Sequence, residues 1–148
     1  MKRAINPYQQ TQVTTASPER LLIMLYDGAI RFVTLAQEGI EKGDRVKKLE
    51  SISRAVAIIT HLSDTLDHNA GWDQSEELDA LYAYMVGALS RANFNNQAEP
   101  LKVVLSLLSG LRETWAEAIE IHRKETAAAV ATTEQNGSQE PKTISVEY

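Results

Sequence analysis

The sequence predicts an all-α protein, an antiparallel four-helix bundle with an N-terminal arm and a disordered C-terminal tail. Apolar residues recur at helical spacing in four stretches of about 20 to 28 residues, which as helices would each be roughly 30 to 40 Å long. The connections between these stretches are short, so consecutive helices would run antiparallel. The sequence has no stretch with the period-two alternation of a strand.

The first predicted helix begins at Pro18, where Ser17 can cap it, and ends near Gly43. Its apolar face is too broad for an ordinary surface helix. This helix is therefore either enclosed by its neighbours or leaves apolar surface for a partner. The face consists of Leu21, Leu22, Leu25, Ala29, Phe32, Val33, Ala36 and Ile40.

The second predicted helix runs from about Arg45 to Asn69, and Gly71 supplies the turn that follows. Its core-facing residues occupy the a and d positions of heptads. These residues are Leu49, Ile52, Val56, Ile59, Ser63 and Leu66, with Ala55 and Leu62 beside them.

The third predicted helix starts at about Ser75 and frays out over residues 93–96. The fourth begins at Glu99, with Pro100 at the first helical position. The third helix has a buried face of Leu78, Leu81, Tyr82, Met85, Ala88, Leu89 and Ala92. The fourth has a heptad seam of Leu101, Val104, Leu108, Leu111, Trp115, Ala118 and His122.

The 148 residues are expected to form one domain. We expect the arm over residues 1–16, the bundle over 17–126 and the disordered tail over 127–148, although the alanines at 127–129 can extend the last helix. The net charge of −5 argues against a nucleic-acid surface, and the absence of cysteine excludes disulfides and thiolate metal sites. The basic cluster of residues 42–48 is interleaved with acidic residues and predicts a solvated helix end. Without an apolar leader or membrane span, the cytoplasm is the expected location.

No catalytic, cofactor or metal site is predicted. His61, Asp64 and His68 lie near one another on the second helix but face away from its seam, and the two histidines are about 10 Å apart along the axis. A histidine phosphotransfer site at His61 is disfavoured, because the charge of Asp64 one turn away would repel a phosphoryl group. These absences favour a binding protein.

Apolar and small residues beyond the needs of the core predict a groove for an amphipathic partner helix. They form a strip beside the seam of the fourth helix and continue onto the second helix. The alternative is that loops, the arm or a second copy of the chain cover them. The predicted groove consists of Ile58, Leu62, Val103, Leu107, Gly110 and Thr114.

The arm is polar except for isolated apolar side chains, which could fasten it over this groove when no partner is bound. Deleting residues 1–13 should then increase dye binding or dimerisation. The arm residues assigned to partner binding are Ile5, Tyr8, Gln9, Gln10 and Val13.

Several motifs, in matching order and spacing over residues 6–122, resemble the FliS family of flagellin export chaperones. They are Tyr8-Gln9-Gln10, Ala16-Ser17-Pro18, Met24-Leu25-Tyr26-Asp27-Gly28-Ala29, Leu81-Tyr82-x-Tyr84-Met85, Ala92-Asn93 and Thr114-Trp115.

The resemblance implies a helical bundle in the cytoplasm of a flagellated bacterium. It also implies a non-enzymatic role, in which the chain binds the C-terminal segment of flagellin, prevents premature polymerisation and delivers the subunit to the type III export gate. Tyr8 matches the family's arm tyrosine and takes over its docking role. Gly87 and Ala88 stand where family members commonly carry two arginines. The alternatives are a generic helical adaptor or homodimer with another client, and a histidine phosphotransfer domain.

Overall fold

A computed structural model of the chain describes residues 16–66 and 75–137, with side chains through residue 135. Within these ranges the chain forms four helices and no strand: α1 (Pro18–Lys42), α2 (Arg45–Asp64), α3 (Ser75–Asn95) and α4 (Glu99–Gly137). The predicted antiparallel four-helix bundle is confirmed. The arm up to residue 15, the turn at Gly71 and residues 138–148 lie outside the described residues.

The chain divides into two compact units, residues 1–113 and 114–148. The first unit contains α1, α2, α3 and residues 99–113 of α4, and the bundle core lies within it. In the second unit the described residues are helical, and every side chain from 120 to 135 is exposed.

The ends of α1 follow from the capping residues. The Ser17 hydroxyl accepts a hydrogen bond from the Arg20 amide at 3.2 Å. At the other end Gly43 adopts a left-handed conformation (φ 67°), and its N–H points to the carbonyls of Gly39 and Ile40. Only a residue without a side chain adopts this conformation at little cost. Both predicted ends of α1 are therefore confirmed.

The buried face of α2 shares Ile52 and Ile59 with the predicted heptad seam and elsewhere lies one position away from it. Ala55 and Leu62 are buried, whereas Val56 and Ser63 are half-buried and Leu49 is 52% exposed. The reason lies in α1, whose Gly28 and Gly39 let α2 approach on the side of Ile58 and Lys48. The buried residues of α2 are Lys48, Ser51, Ile52, Ala55, Ile59 and Leu62.

The α1–α2 junction is the contact of α2 with Gly28 and Gly39 of α1. A Cβ atom at Gly39 would lie 2.8 Å from the backbone nitrogen of Lys48, which is closer than non-bonded atoms approach. A Cβ at Gly28 would lie 3.2 Å from Cδ1 of Ile58. The two helices pack this closely because neither glycine carries a side chain.

Two predicted helix ends are wrong. α2 ends at Asp64 rather than near Asn69, because the i to i−4 pattern stops after Thr65. The Leu66 amide bonds to the Ser63 carbonyl at 3.2 Å, and the Thr65 hydroxyl bonds to the Leu62 carbonyl at 2.8 Å. α4 continues to Gly137, past the predicted start of the tail at residue 127. Alanine has the highest helix propensity, and the three alanines at 127–129 extend the helix.

The predicted faces of α3 and α4 are confirmed in part. Six of the seven residues predicted for α3 are buried, and Leu81 is half-buried. On α4, the seam is buried only as far as Leu108. Ala118 and His122 are exposed, so the predicted seam is wrong from Ala118 onward.

Candidate partner-binding surface

The structure places the six residues of the predicted groove in different environments. Leu62 is 1% exposed and belongs to the bundle core. Ile58 is half-buried at the α1–α2 junction, facing Gly28. Thr114 is exposed and belongs to the second unit. The remaining three residues, Val103, Leu107 and Gly110, lie on one side of α4 within the first unit.

These three residues are hereafter called the α4 strip. Their i, i+4, i+7 spacing puts them on one face of the helix. Val103 is 43% exposed and Leu107 half-buried. A Cβ built at Gly110 would meet no atom of the described residues within 4 Å. The strip therefore presents two apolar side chains, Val103 and Leu107, on one face of α4.

An ion pair links α4 to α1 close to this strip. Two nitrogens of the Arg112 guanidinium donate to the Asp27 carboxylate, Nη2 to Oδ2 at 3.3 Å and Nε to Oδ1. The hydrogen bond that Arg112 donates to the Asp27 carboxylate raises the pKa of Arg112 above its ordinary value. This bidentate geometry orients α4 against α1, although a solvent-exposed pair adds little stability.

The bundle core contains a pair of tyrosines, of which the hydrophobic pattern identified Tyr82 but not Tyr26. The Tyr26 and Tyr82 side chains are buried, and their hydroxyl groups hydrogen-bond to each other. Burial, reinforced by the hydrogen bond with Tyr26, raises the pKa of Tyr82 well above its ordinary value. The Tyr82 hydroxyl is thus protonated at physiological pH. The sequence signal was the family motif, which contains both residues.

Lys48 is buried, although the basic cluster was predicted to be solvated. Its ammonium group donates to the carbonyl of Asn93 at 3.2 Å and to the side-chain oxygen of Asn96 at 3.1 Å. These acceptors lie at the end of α3, where carbonyls lack helical partners and the dipole favours a cation. Lys48 therefore ties the start of α2 to the end of α3.

Other predicted features can be placed only in part. The arm residues Ile5, Tyr8, Gln9, Gln10 and Val13 lie outside the described residues and stay predictions. His61 is exposed on α2, and the described residues hold no group of three side chains suited to a metal ion. Among the described helices, none combines the length and apolar character that crossing a bilayer would require.

Comparison with known proteins assigns the family. The profile of the flagellar protein FliS matches residues 1–122. A flagellar secretion chaperone FliS from Bacillus subtilis is 37% identical over 118 residues, covering 80% of this chain and 87% of that protein. This chain belongs to the FliS family. A FliS chaperone from Campylobacter jejuni is 34% identical over 125 residues, covering 84% of this chain and 95% of that protein.

The fold agrees with this assignment. A solved structure described as a flagellar chaperone from bacteria superposes with a TM-score of 0.66 over 76% of this chain and 94% of its own, at 16% identity. The named relatives are flagellar secretion chaperones, a non-enzymatic family. The histidine phosphotransfer alternative is therefore excluded, and the resemblance noted from the motifs is confirmed.

Proposed function

We propose that this chain is a cytoplasmic chaperone that binds the disordered C-terminal segment of flagellin. By occupying that segment it prevents premature polymerisation and presents the subunit to the export gate of the flagellar type III system. Membership of a family of flagellar secretion chaperones supports the class of function. The observation that supports the location of the binding site is the exposure of the α4 strip, in which the Val103 side chain is 43% exposed.

The strip suits an amphipathic helix. From Val103 to Gly110 it spans roughly 10 Å, which is two helical turns. A client helix lying on it would bury Val103 and Leu107, and its backbone could come close at Gly110, where there is no side chain. The exposed neighbours Ser106 and Ser109 place no charge beside these residues.

The mechanism is mass action coupled to folding. A disordered segment that folds on binding spends part of the interaction energy on its own ordering. Such binding is tight enough to keep the segment out of a filament nucleus but remains reversible at the export gate. Occupation by the chaperone lowers the concentration of unbound segment, and polymerisation slows in proportion.

The arm is proposed to compete with flagellin for the apolar surface. Ile5, Tyr8 and Val13 would cover it in the empty chaperone, with Gln9 and Gln10 between them. Deleting residues 1–13 should then increase dye binding. Tyr8→Ala should weaken or redistribute flagellin binding, because Tyr8 matches the arm tyrosine of the family.

The test is a titration of the purified chain with a labelled peptide of the flagellin C-terminal region. We expect a one-to-one complex with gained helicity. Val103→Glu should weaken binding at least about tenfold, or ~1.4 kcal/mol, because it places a charge against the apolar face of the peptide. Val130→Glu is the matched control, since Val130 lies on the same helix and is 51% exposed.

The outcomes separate the proposal from its main alternative. Equal affinities for the two variants would remove the α4 strip as the binding site. No complex at micromolar concentration would remove flagellin as the client and favour the adaptor alternative, in which the same surface serves another partner. Thermal melts monitored by circular dichroism confirm that both variants are folded.

A further inference from the structure

A cleft between α1 and α2 shares no residue with the α4 strip. It has a volume of about 330 Å³ and is open to solvent. Three of its lining side chains are apolar: Phe32 and Leu35 of α1 are half-buried, and Val46 of α2 is 67% exposed. Together with Arg31 and Arg54, which also line the cleft, these residues define what is called here the arginine cleft.

The two arginines, one from each helix, converge on a single aromatic ring. The Cζ atoms of Arg31 and Arg54 each lie 5.6 Å from the centroid of the Phe32 ring, which is within the range of a cation–π contact. The two guanidinium carbons are therefore no more than twice that distance apart. Because a phenyl ring offers no oxygen or nitrogen acceptor, this contact leaves the N–H donors of both guanidinium groups available to a carboxylate.

Neither of these guanidinium groups has a carboxylate partner among the described residues. The nearby acidic side chains are engaged elsewhere, since Asp44 accepts from the Lys47 amide at 3.0 Å and Glu38 bonds to the Lys47 ammonium group at 2.8 Å. Glu50 also lines the cleft and is exposed, one turn before Arg54, but it is not in ion-pair contact with it. The ion pairs found in residues 16–66 and 75–135 are those of Lys47, Lys102, Arg112 and Arg123.

Two guanidinium groups thus face one uncommitted carboxylate, in a chain whose net charge is −5. The cleft combines this local positive charge with apolar walls. A nucleic-acid backbone is a poor match, because Glu50 at the cleft and the net charge of the chain would both repel phosphates. A short acidic segment that also carries an apolar side chain matches both properties.

We propose that the arginine cleft binds an acidic segment of a protein partner other than flagellin. Each guanidinium group would donate two parallel N–H···O bonds to one carboxylate of the segment. On a helical segment, carboxylates at positions i and i+4 are about 6 Å apart at their Cβ atoms, which is within the separation that one shared ring allows the two arginines. An apolar side chain on the same face of the segment would contact Phe32, Leu35 and Val46.

The separation of the two surfaces gives this site its use. Under the function proposed above, the α4 strip is occupied by a flagellin helix, whereas the arginine cleft stays open in the loaded chaperone. A second protein can therefore bind the chaperone without displacing the client. Solvent-exposed ion pairs contribute little each, so the expected dissociation constant is on the order of 0.1–1 mM, and binding should weaken as salt is added.

The test is an NMR titration of the isotopically labelled full chain with a model peptide. The peptide is helical, with two glutamates at positions i and i+4 and a leucine at i+3, and the control peptide has glutamines in place of the glutamates. The glutamate peptide should shift the amide signals of residues 31–35 and 46–54 and the side-chain Nε–H signals of Arg31 and Arg54. The glutamine peptide should bind at least about fivefold more weakly.

Three variants assign the binding to the cleft. Arg54→Gln should weaken binding of the glutamate peptide about fivefold, and Glu50→Gln should tighten it about twofold by removing the one opposing carboxylate. Arg91→Gln is the matched control, because Arg91 is also exposed and lies 5.8 Å from the centroid of the Tyr84 ring, outside the cleft. It should bind like the parent chain. Thermal melts confirm that all three variants are folded.

Several outcomes would overturn the proposal. These are an absence of shifts up to about 2 mM peptide, equal affinities for the two peptides, and equal losses for Arg54→Gln and Arg91→Gln. Competition between the glutamate peptide and the flagellin C-terminal peptide would assign the cleft to the client and also contradict the proposal, whereas independent binding supports it. If the chain does not bind flagellin, the function proposed above fails, but the titration with the glutamate peptide still decides this one.

Discussion

The α1–α2 junction and the α4 strip both contain a glycine within a helix, but the two glycines have opposite surroundings. At Gly39 the backbone of Lys48 occupies the space that a side chain would need. At Gly110 that space is open among the described residues. The first glycine allows two helices of the same chain to touch, and the second is the position where the proposed flagellin helix would come close. A glycine in a helical pattern therefore indicates a close approach without indicating which surface makes it.

The largest effect is expected for Gly39→Ala. The added methyl group would lie 2.8 Å from the Lys48 backbone nitrogen, and backbone atoms cannot rotate away. Overpacking of this kind costs about 3 kcal/mol of unfolding free energy, which exceeds the gain in helix propensity. Urea denaturation measures the change. A loss below about 0.5 kcal/mol would mean that the junction is looser than described.

A smaller loss of unfolding free energy is expected for Tyr26→Phe, in the bundle core. The variant removes the hydroxyl that bonds to Tyr82 and leaves the Tyr82 hydroxyl in a buried environment. An unsatisfied buried hydroxyl costs about 1–3 kcal/mol. The double variant Tyr26→Phe/Tyr82→Phe should recover part of this loss in the same denaturation assay. Equal losses for single and double variants would indicate that the pair acts through packing alone.

Gly110→Ala should have the opposite sign to Gly39→Ala. No atom of the described residues obstructs the new methyl group, so helix propensity determines the result and the bundle gains about 0.5–1 kcal/mol. A bulkier change, Gly110→Leu, should weaken binding of the flagellin peptide by filling the shallow position. If Gly110→Ala destabilised the fold, Gly110 would lie in a packed contact. The contrast drawn with Gly39 would then be wrong.

The smallest effect concerns pH at the edge of the α1–α2 junction. Lys47 bonds to Glu38 at 2.8 Å and lowers the pKa of that carboxyl. The pair therefore stabilises the fold above the pKa of Glu38 in the unfolded chain, and this contribution is lost as the pH falls through the lowered value. In an NMR titration, Lys47→Met should return the pKa of Glu38 toward 4.5. No change would show that the pair does not persist in solution.

Interactions between residues close together in the sequence allowed several helix ends and buried faces to be predicted. Ser17, Pro18 and Gly43 act on their own backbone neighbours, so both ends of α1 could be predicted without knowing the fold. The buried face of α3 followed from helical spacing alone. The family assignment rested on the order and spacing of short motifs, and a relative is 37% identical over 118 residues.

Other features depend on contacts between helices and could not be predicted in this way. The choice between Ala55 and Val56 as core residues depends on which side of α2 meets α1, and both spacings satisfy a heptad. Burial of Lys48 depends on the end of α3, far away in sequence. The exposure of Phe94 could not be predicted, because the sequence around it indicates only that the helix frays at its end.

The most direct test of the α4 strip is hydrogen exchange on the full chain with and without the flagellin C-terminal peptide. A helix that receives a client loses local opening, and its amides exchange more slowly. We predict added protection in peptides covering residues 99–113, with no change at the α1–α2 junction. Binding that leaves residues 99–113 unprotected would contradict the assignment of the α4 strip as the client site.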